Sequence, residues 1–140
     1  MRQIVVRRWL VSGFAAGALI FLLEGALGSL YKADMAEALA AHNLTMVLDT
    51  TSWMITVGVS LIIGLTIMFF YAASRNRFGP GPRTAIKVGV ALWIGGYAVS
   101  LLGYKMIGLF PDSMLTLWGA AGLVEMILAA LLGGWLYRET

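Results

Sequence analysis

Two glutamates stand inside apolar stretches of this chain, Glu24 near its start and Glu125 near its end. An ionisable side chain at bilayer depth costs roughly 2.5–3.5 kcal/mol even on insertion scales, so it faces a protein interior and has a partner or a task. Counted from aromatic anchors, both stand at one depth. Glu24 lies seven residues before Tyr31, and Glu125 seven after Trp118. At ~1.5 Å per helical residue this is about 10 Å below one interface. The same count reaches Tyr97 from Tyr104 and Ser60 from Trp53. The expected polar layer is therefore Glu24, Ser60, Tyr97 and Glu125, one hydrogen-bonding side chain from each segment.

Two carboxylates facing each other in an apolar medium resist ionising together, so such a pair titrates as a unit. It could carry a proton, bind a cation, or hold the amine of an amphiphile. Lys105 is near enough in sequence to the same interface to reach down and neutralise one carboxylate. The alternative is structural: the glutamates, protonated or paired with Tyr97, Ser60 or Lys105, hold the helices in register. Small residues support convergence in both readings. Gly17 and Gly28 flank Glu24 at helical spacing, Gly122 and Ala129 flank Glu125, and Gly89, Gly96, Ser100 and Gly103 form a stripe on the third segment. Such residues let membrane helices approach closely.

The elements that must position these residues follow from composition. The chain has 140 residues, 60% hydrophobic and 12% charged, with mean hydropathy +0.86. Soluble domains carry about 25% charged residues. Four stretches, about 9–31, 53–73, 84–104 and 114–137, meet the roughly 20-residue requirement for a helical span. They use most of the chain, so residues 1–140 read as one transmembrane domain. Short connections make sequential helices antiparallel neighbours, which predicts an all-α, up-down-up-down four-helix bundle. Residues 33–42, with Met35 and Leu39 at helical spacing, predict a short amphipathic segment on the outer surface, stopped at Asn43.

Charge orients the bundle. Arg2, Arg7, Arg8, Arg75, Arg77, Arg83, Lys87 and Arg138 fall on one side of it, and only Lys32 and Lys105 on the other. By the positive-inside rule both termini are cytoplasmic. The net charge of +3 is then a topology signal and a contact for anionic lipid through Arg75, Arg77 and Arg83, not a nucleic-acid footprint. The basic, apolar N-terminus imitates a signal peptide. Its apolar run is too long for one and contains Glu24, so it is expected to remain as the first span.

The loop between the second and third segments reads Ser74-Arg75-Asn76-Arg77-Phe78-Gly79-Pro80-Gly81-Pro82-Arg83-Thr84-Ala85, with Gly89 and Trp93 following. With the closing Trp135-Leu136-Tyr137-Arg138-Glu139, it resembles a small family of bacterial four-span membrane proteins with no assigned activity. The resemblance implies the topology and no functional residue. The loop lacks the Gly-Lys-Ser/Thr ending of a phosphate-cradling loop and reads as a turn. Pro82 suits a first helical position.

Other chemistry is thinly supplied. The chain has no cysteine, which excludes disulfides, iron–sulfur clusters and thiolate zinc. The single histidine, His42, gives neither a metal-ligand set nor a Ser-His-Asp arrangement and reads as a solvated loop residue. No motif names a cofactor, although Trp93 and Tyr97 could touch a pigment ring. Segments one and three both end in Tyr-Lys, and segments two and four each begin near a Trp and end near a Tyr. This suggests a two-plus-two duplication, or simply interfacial anchoring. The leading functional expectation is a non-catalytic accessory subunit of a larger membrane complex, among other membrane subunits or its own copies. The alternative is a small oligomeric transporter, channel or amphiphile-binding protein using Glu24 and Glu125.

Overall fold

A computed structural model describes residues 3–137; Arg2 and Arg138, which contribute to the charge pattern, lie outside them. The described residues form helices and no strands. These are α1 (Val6–Ala40), α2 (Thr50–Phe78), α3 (Pro82–Ile107) and α4 (Asp112–Leu136), each long and apolar enough to cross a membrane. Their outer faces carry large apolar side chains, with Met54 70% and Met106 87% exposed. In water such faces would aggregate; against lipid tails they are matched.

α1 does not stop at Tyr31. It continues unbroken to Ala40 and takes in the stretch expected to lie separately on the outer surface. Nothing between Tyr31 and Ala40 breaks a helix, since Lys32, Ala33, Asp34, Met35, Ala36, Glu37, Ala38 and Leu39 include no Gly, Pro or β-branched residue. At 35 residues the helix is about 52 Å long, well beyond the ~30 Å of a hydrocarbon core. It ends where Asn43 takes a left-handed conformation, φ 57°, which Asn tolerates better than most residues. α2 then starts on a true cap: the Asp49 carboxylate accepts from Ser52 N and Ser52 Oγ, both at 2.8 Å.

Glycine sets the α1–α2 contact. A Cβ at Gly13 would come within 2.9 Å of the Leu65 Cα, and one at Gly17 within 2.7 Å of the Leu61 Cα. A Cβ at Gly64 would collide with the backbone of Gly13 and Gly17. Only hydrogen side chains permit this approach, and the contacts run in opposite senses along the two helices. The Trp9 indole N–H adds a 2.8 Å bond to the Leu65 carbonyl. On the other side Gly89 of α3 meets the Met126–Ile127 backbone of α4.

One end of the molecule is tied together by two tyrosines and an arginine. Tyr137 Oη accepts from Val5 N at 3.1 Å, and Tyr71 Oη accepts from Gly81 N at 3.1 Å. Arg75 Nη1 donates to the Tyr137 carbonyl at 3.2 Å, and its guanidinium lies 5.1 Å from the centre of the Tyr137 ring. The start of α1, the end of α2, the start of α3 and the end of α4 all meet in this knot.

α3 is irregular. Between Trp93 and Ala98 it widens into a π-helical turn over Trp-Ile-Gly-Gly-Tyr-Ala. Such turns are rare and gather at functional sites. The Gly96 carbonyl is taken by Ser100 Oγ at 2.8 Å, and the Trp93 indole pins the turn to α4 through the Gly119 carbonyl at 3.0 Å. Among the described residues, α3 beyond the π turn packs on α4 alone and buries no residue.

Candidate functional site

The free second half of α3 leaves a gap. Among the described residues α1 and α3 make no backbone approach to each other. Between them is a cavity of about 450 Å³, lined in part by Glu24 from α1, Gly96 and Tyr97 from the π turn, and Trp118 and Glu125 from α4. Three of the four expected layer residues thus face one space. Glu24 and Glu125 stand close enough for their charges to interact. The equal seven-residue offsets explain the alignment: the anchoring rings of Tyr31 and Trp118 meet edge to face at 5.4 Å, which sets both helices in register.

The carboxyls differ. Glu24 is half-buried, and Tyr31 Oη donates to its Oε2 across a long 3.4 Å. Glu125 is 4% exposed; its carboxyl is within hydrogen-bonding reach of Glu24, and among the described residues its Oε1 meets no other donor. Leaving a buried polar oxygen unsatisfied costs about 1–3 kcal/mol, more if it is charged. The indole Nε1 of Trp118, in the same wall, is likewise buried without an acceptor. Among the described residues no Lys, Arg or His lines the cavity.

Two rings of the cavity wall, Trp118 and Tyr104, belong to a larger aromatic cluster. Trp118 meets Phe110 at 4.8 Å, and Phe110 meets Tyr104 at 5.5 Å; Tyr31 completes the group. Ring faces attract cations. The cavity therefore combines two acids, electron-rich rings, apolar walls and no resident base.

Two expected members lie elsewhere. Ser60 is buried on α2, and its carbonyl oxygen would stand 2.8 Å from a Cβ on Gly17. It therefore sits two helical turns from Glu24, outside the cavity. The count from Trp53 fails because that ring packs on Phe21, 6.2 Å between centres, not level with Tyr31. The extra length of α1 makes the connecting chain descend before α2 begins. Lys105 turns outward and pairs with Asp112, Nζ to Oδ2 3.1 Å, with both side chains mostly exposed. It sits on the last turn of α3, and Gly108, φ 67°, folds the chain back so that Asp112 is its nearest carboxylate.

The basic residues divide. Arg77 and Arg83 are exposed. Arg75 turns inward to Tyr137, because its position on the last turn of α2 faces the end of α4. Lys87 Nζ caps the Phe78 ring at 4.7 Å. His42 is exposed, its Nδ1 3.0 Å from the Ala38 carbonyl. On the third segment the small-residue stripe is used only at Gly89; Gly96 and Gly103 face open space, as does Gly28 on α1. The sequence reading missed Trp118 as a cavity wall and the π turn, although adjacent glycines in mid-span followed by Ser100 were a signal.

No family model, curated protein or solved structure matches the chain.

Proposed function

We propose that this chain is a small multi-pass protein of a bacterial inner membrane whose Glu24–Glu125 cavity binds an organic cation in exchange for a proton. The observation that carries the reading is the pair of acids facing one cavity with no base in its walls. A carboxyl pair in a low-dielectric space holds a proton when empty and releases it to an arriving cation. Amphiphile binding is the reading favoured over the structural polar layer, because both acids line a cavity of about 450 Å³ rather than a packed interior.

The bundle runs up-down-up-down with both termini cytoplasmic. This follows from the basic residues gathered at the knotted end. Arg77 and Arg83 there meet anionic lipid head groups. The cavity lies toward the opposite, outer side. Beyond the π turn α3 touches only α4, so the cavity is reached sideways from the bilayer, the route of a lipid-soluble ligand. Four spans are few for a carrier, and the working unit is an oligomer.

One observation favours a second reading, the accessory subunit. The second half of α3 buries no residue, and another membrane protein could cover it as well as lipid. The test is equilibrium binding of dimethyl(phenylbutyl)ammonium to purified protein in detergent. The cation-binding reading expects the Glu24→Gln, Glu125→Gln double variant to lose binding at least tenfold while keeping its native mass. Unchanged binding, or none in the parent protein, leaves the accessory subunit.

A further inference from the structure

Resting on the cation-binding reading, we infer that Tyr97, seated on Gly122, is the residue that sets how bulky a cation the cavity accepts. Tyr97 is half-buried and lines the cavity with both acids. Its ring also rests on α4. A Cβ at Gly122 would come within 2.6 Å of Tyr97 Cζ, 2.7 Å of Cε1 and 3.0 Å of Cδ1. The ring edge therefore occupies the place that a side chain at position 122 would fill. Gly122 is buried on α4 three residues before Glu125, so this seat adjoins the buried acid.

The π turn brings the ring to its seat. Trp93, Tyr97 and Leu101 stand four residues apart on α3, and all three reach glycines of α4. The Trp93 indole donates to the Gly119 carbonyl at 3.0 Å, and Leu101 Cδ1 would stand 3.2 Å from a Cβ on Gly119. In a regular α-helix, residues four apart drift by ~40° around the axis. The wider i→i+5 turn at Trp93–Ala98 offsets that drift and keeps the three side chains on one face. The Tyr97 ring thus has α4 behind it and the cavity in front of it. A methyl group at position 122 would leave it one direction to move. The ring must retreat by about 1 Å to restore ordinary carbon–carbon contact, and the space it retreats into is the cavity. The loss falls on the wide part of a ligand and not on its ammonium, which the acids hold.

The test measures equilibrium binding of two cations of one skeleton to purified protein in detergent. One is dimethyl(phenylbutyl)ammonium; the other, dimethyl(diphenylbutyl)ammonium, carries a second phenyl on the same carbon. The readout is the ratio of the two affinities, which a loss shared by both cations does not move. Gly122→Ala should shift this ratio against the diphenyl cation by at least about fivefold. Adding Tyr97→Ala to Gly122→Ala removes the displaced ring and should return the ratio to the parent value or beyond it. A ratio unmoved by Gly122→Ala, or a shift that persists in the double variant, overturns the inference. If Gly122→Ala does not fold, Tyr97→Ala alone decides: the widened cavity should move the ratio toward the diphenyl cation, and an unmoved ratio overturns the inference. The cation-binding reading stands without it if the parent protein binds the phenylbutyl cation and the Glu24→Gln, Glu125→Gln variant does not. If the parent protein binds neither cation, both fall.

Discussion

At the scale of single residues, the chemistry rests on the pairing of Glu125 with Glu24. Two acids side by side, one of them 4% exposed, are held there by a proton between them or by a cation. The glutamates were legible in the sequence, and so was their common level, because two seven-residue offsets from aromatic anchors agree. Their partners were not. Lys105 is placed by the sequence where it could reach them, but local geometry gives it Asp112, and no count along the chain reveals which way a terminal lysine turns. Asp49 shows local chemistry that is separable from the site. Its hydrogen bonds from Ser52 N–H, and secondarily from Ser52 Oγ, hold its carboxyl below the usual value. A depressed value means that the cap contributes fully above the unfolded value near 4. The contribution is lost as pH falls through the lower folded value. Protection of the Ser52 amide, taken relative to its intrinsic exchange rate at each pH, should therefore fall below about pH 4 in the parent protein and be low at all pH values in Asp49→Ala. Full protection of that amide in the variant would deny the cap a role.

Among the elements, the glycines divide sharply by use. Gly64 lies where a side chain would strike the α1 backbone, and Gly28 faces open space, although both are glycines of apolar helices. Gly64→Leu should cost at least the ~1–3 kcal/mol typical of overpacking and lower the thermal midpoint in detergent by several degrees. Gly28→Leu should leave the midpoint unchanged. Equal effects would mean that α1 and α2 are not held by close approach. The sequence identified segments of sufficient length and the close-packing residue type, because both follow from composition. It could not rank the glycines, since that depends on which face meets a neighbour. The same limit explains Ser60. Its level was counted from Trp53 as though all anchors marked one plane, whereas α1 runs on to Ala40 and Trp53 sits opposite Phe21. Trp53 and Trp118 therefore stand at different depths, which weakens the suggested two-plus-two duplication. The π turn escaped because its signal, Gly95-Gly96 before Ser100, also fits an ordinary small-residue stripe.

For the whole molecule, four membrane-length helices were readable from hydropathy alone, since lipid imposes length and apolarity on any span. The gap between α1 and α3 was not. It arises because the second half of α3 has only α4 as a neighbour, a property of the assembled helices and of no single one. The proposed orientation has its own test. In a chain without cysteine, a cysteine placed at Gly79 should react with an impermeant maleimide only after the inner face is exposed, and one at Asn43 should react from outside in intact cells. The reverse pattern would invert the molecule and turn the cavity toward the cytoplasm.

The most direct test of the central claim counts protons. Dimethyl(phenylbutyl)ammonium is added to the purified protein in weakly buffered detergent near neutral pH, and release is followed with a pH indicator. The carboxyl pair predicts about one proton released per cation bound, as a shared proton gives way to the ammonium, and none in the Glu24→Gln, Glu125→Gln variant. Binding without proton release, undiminished in that variant, would contradict it.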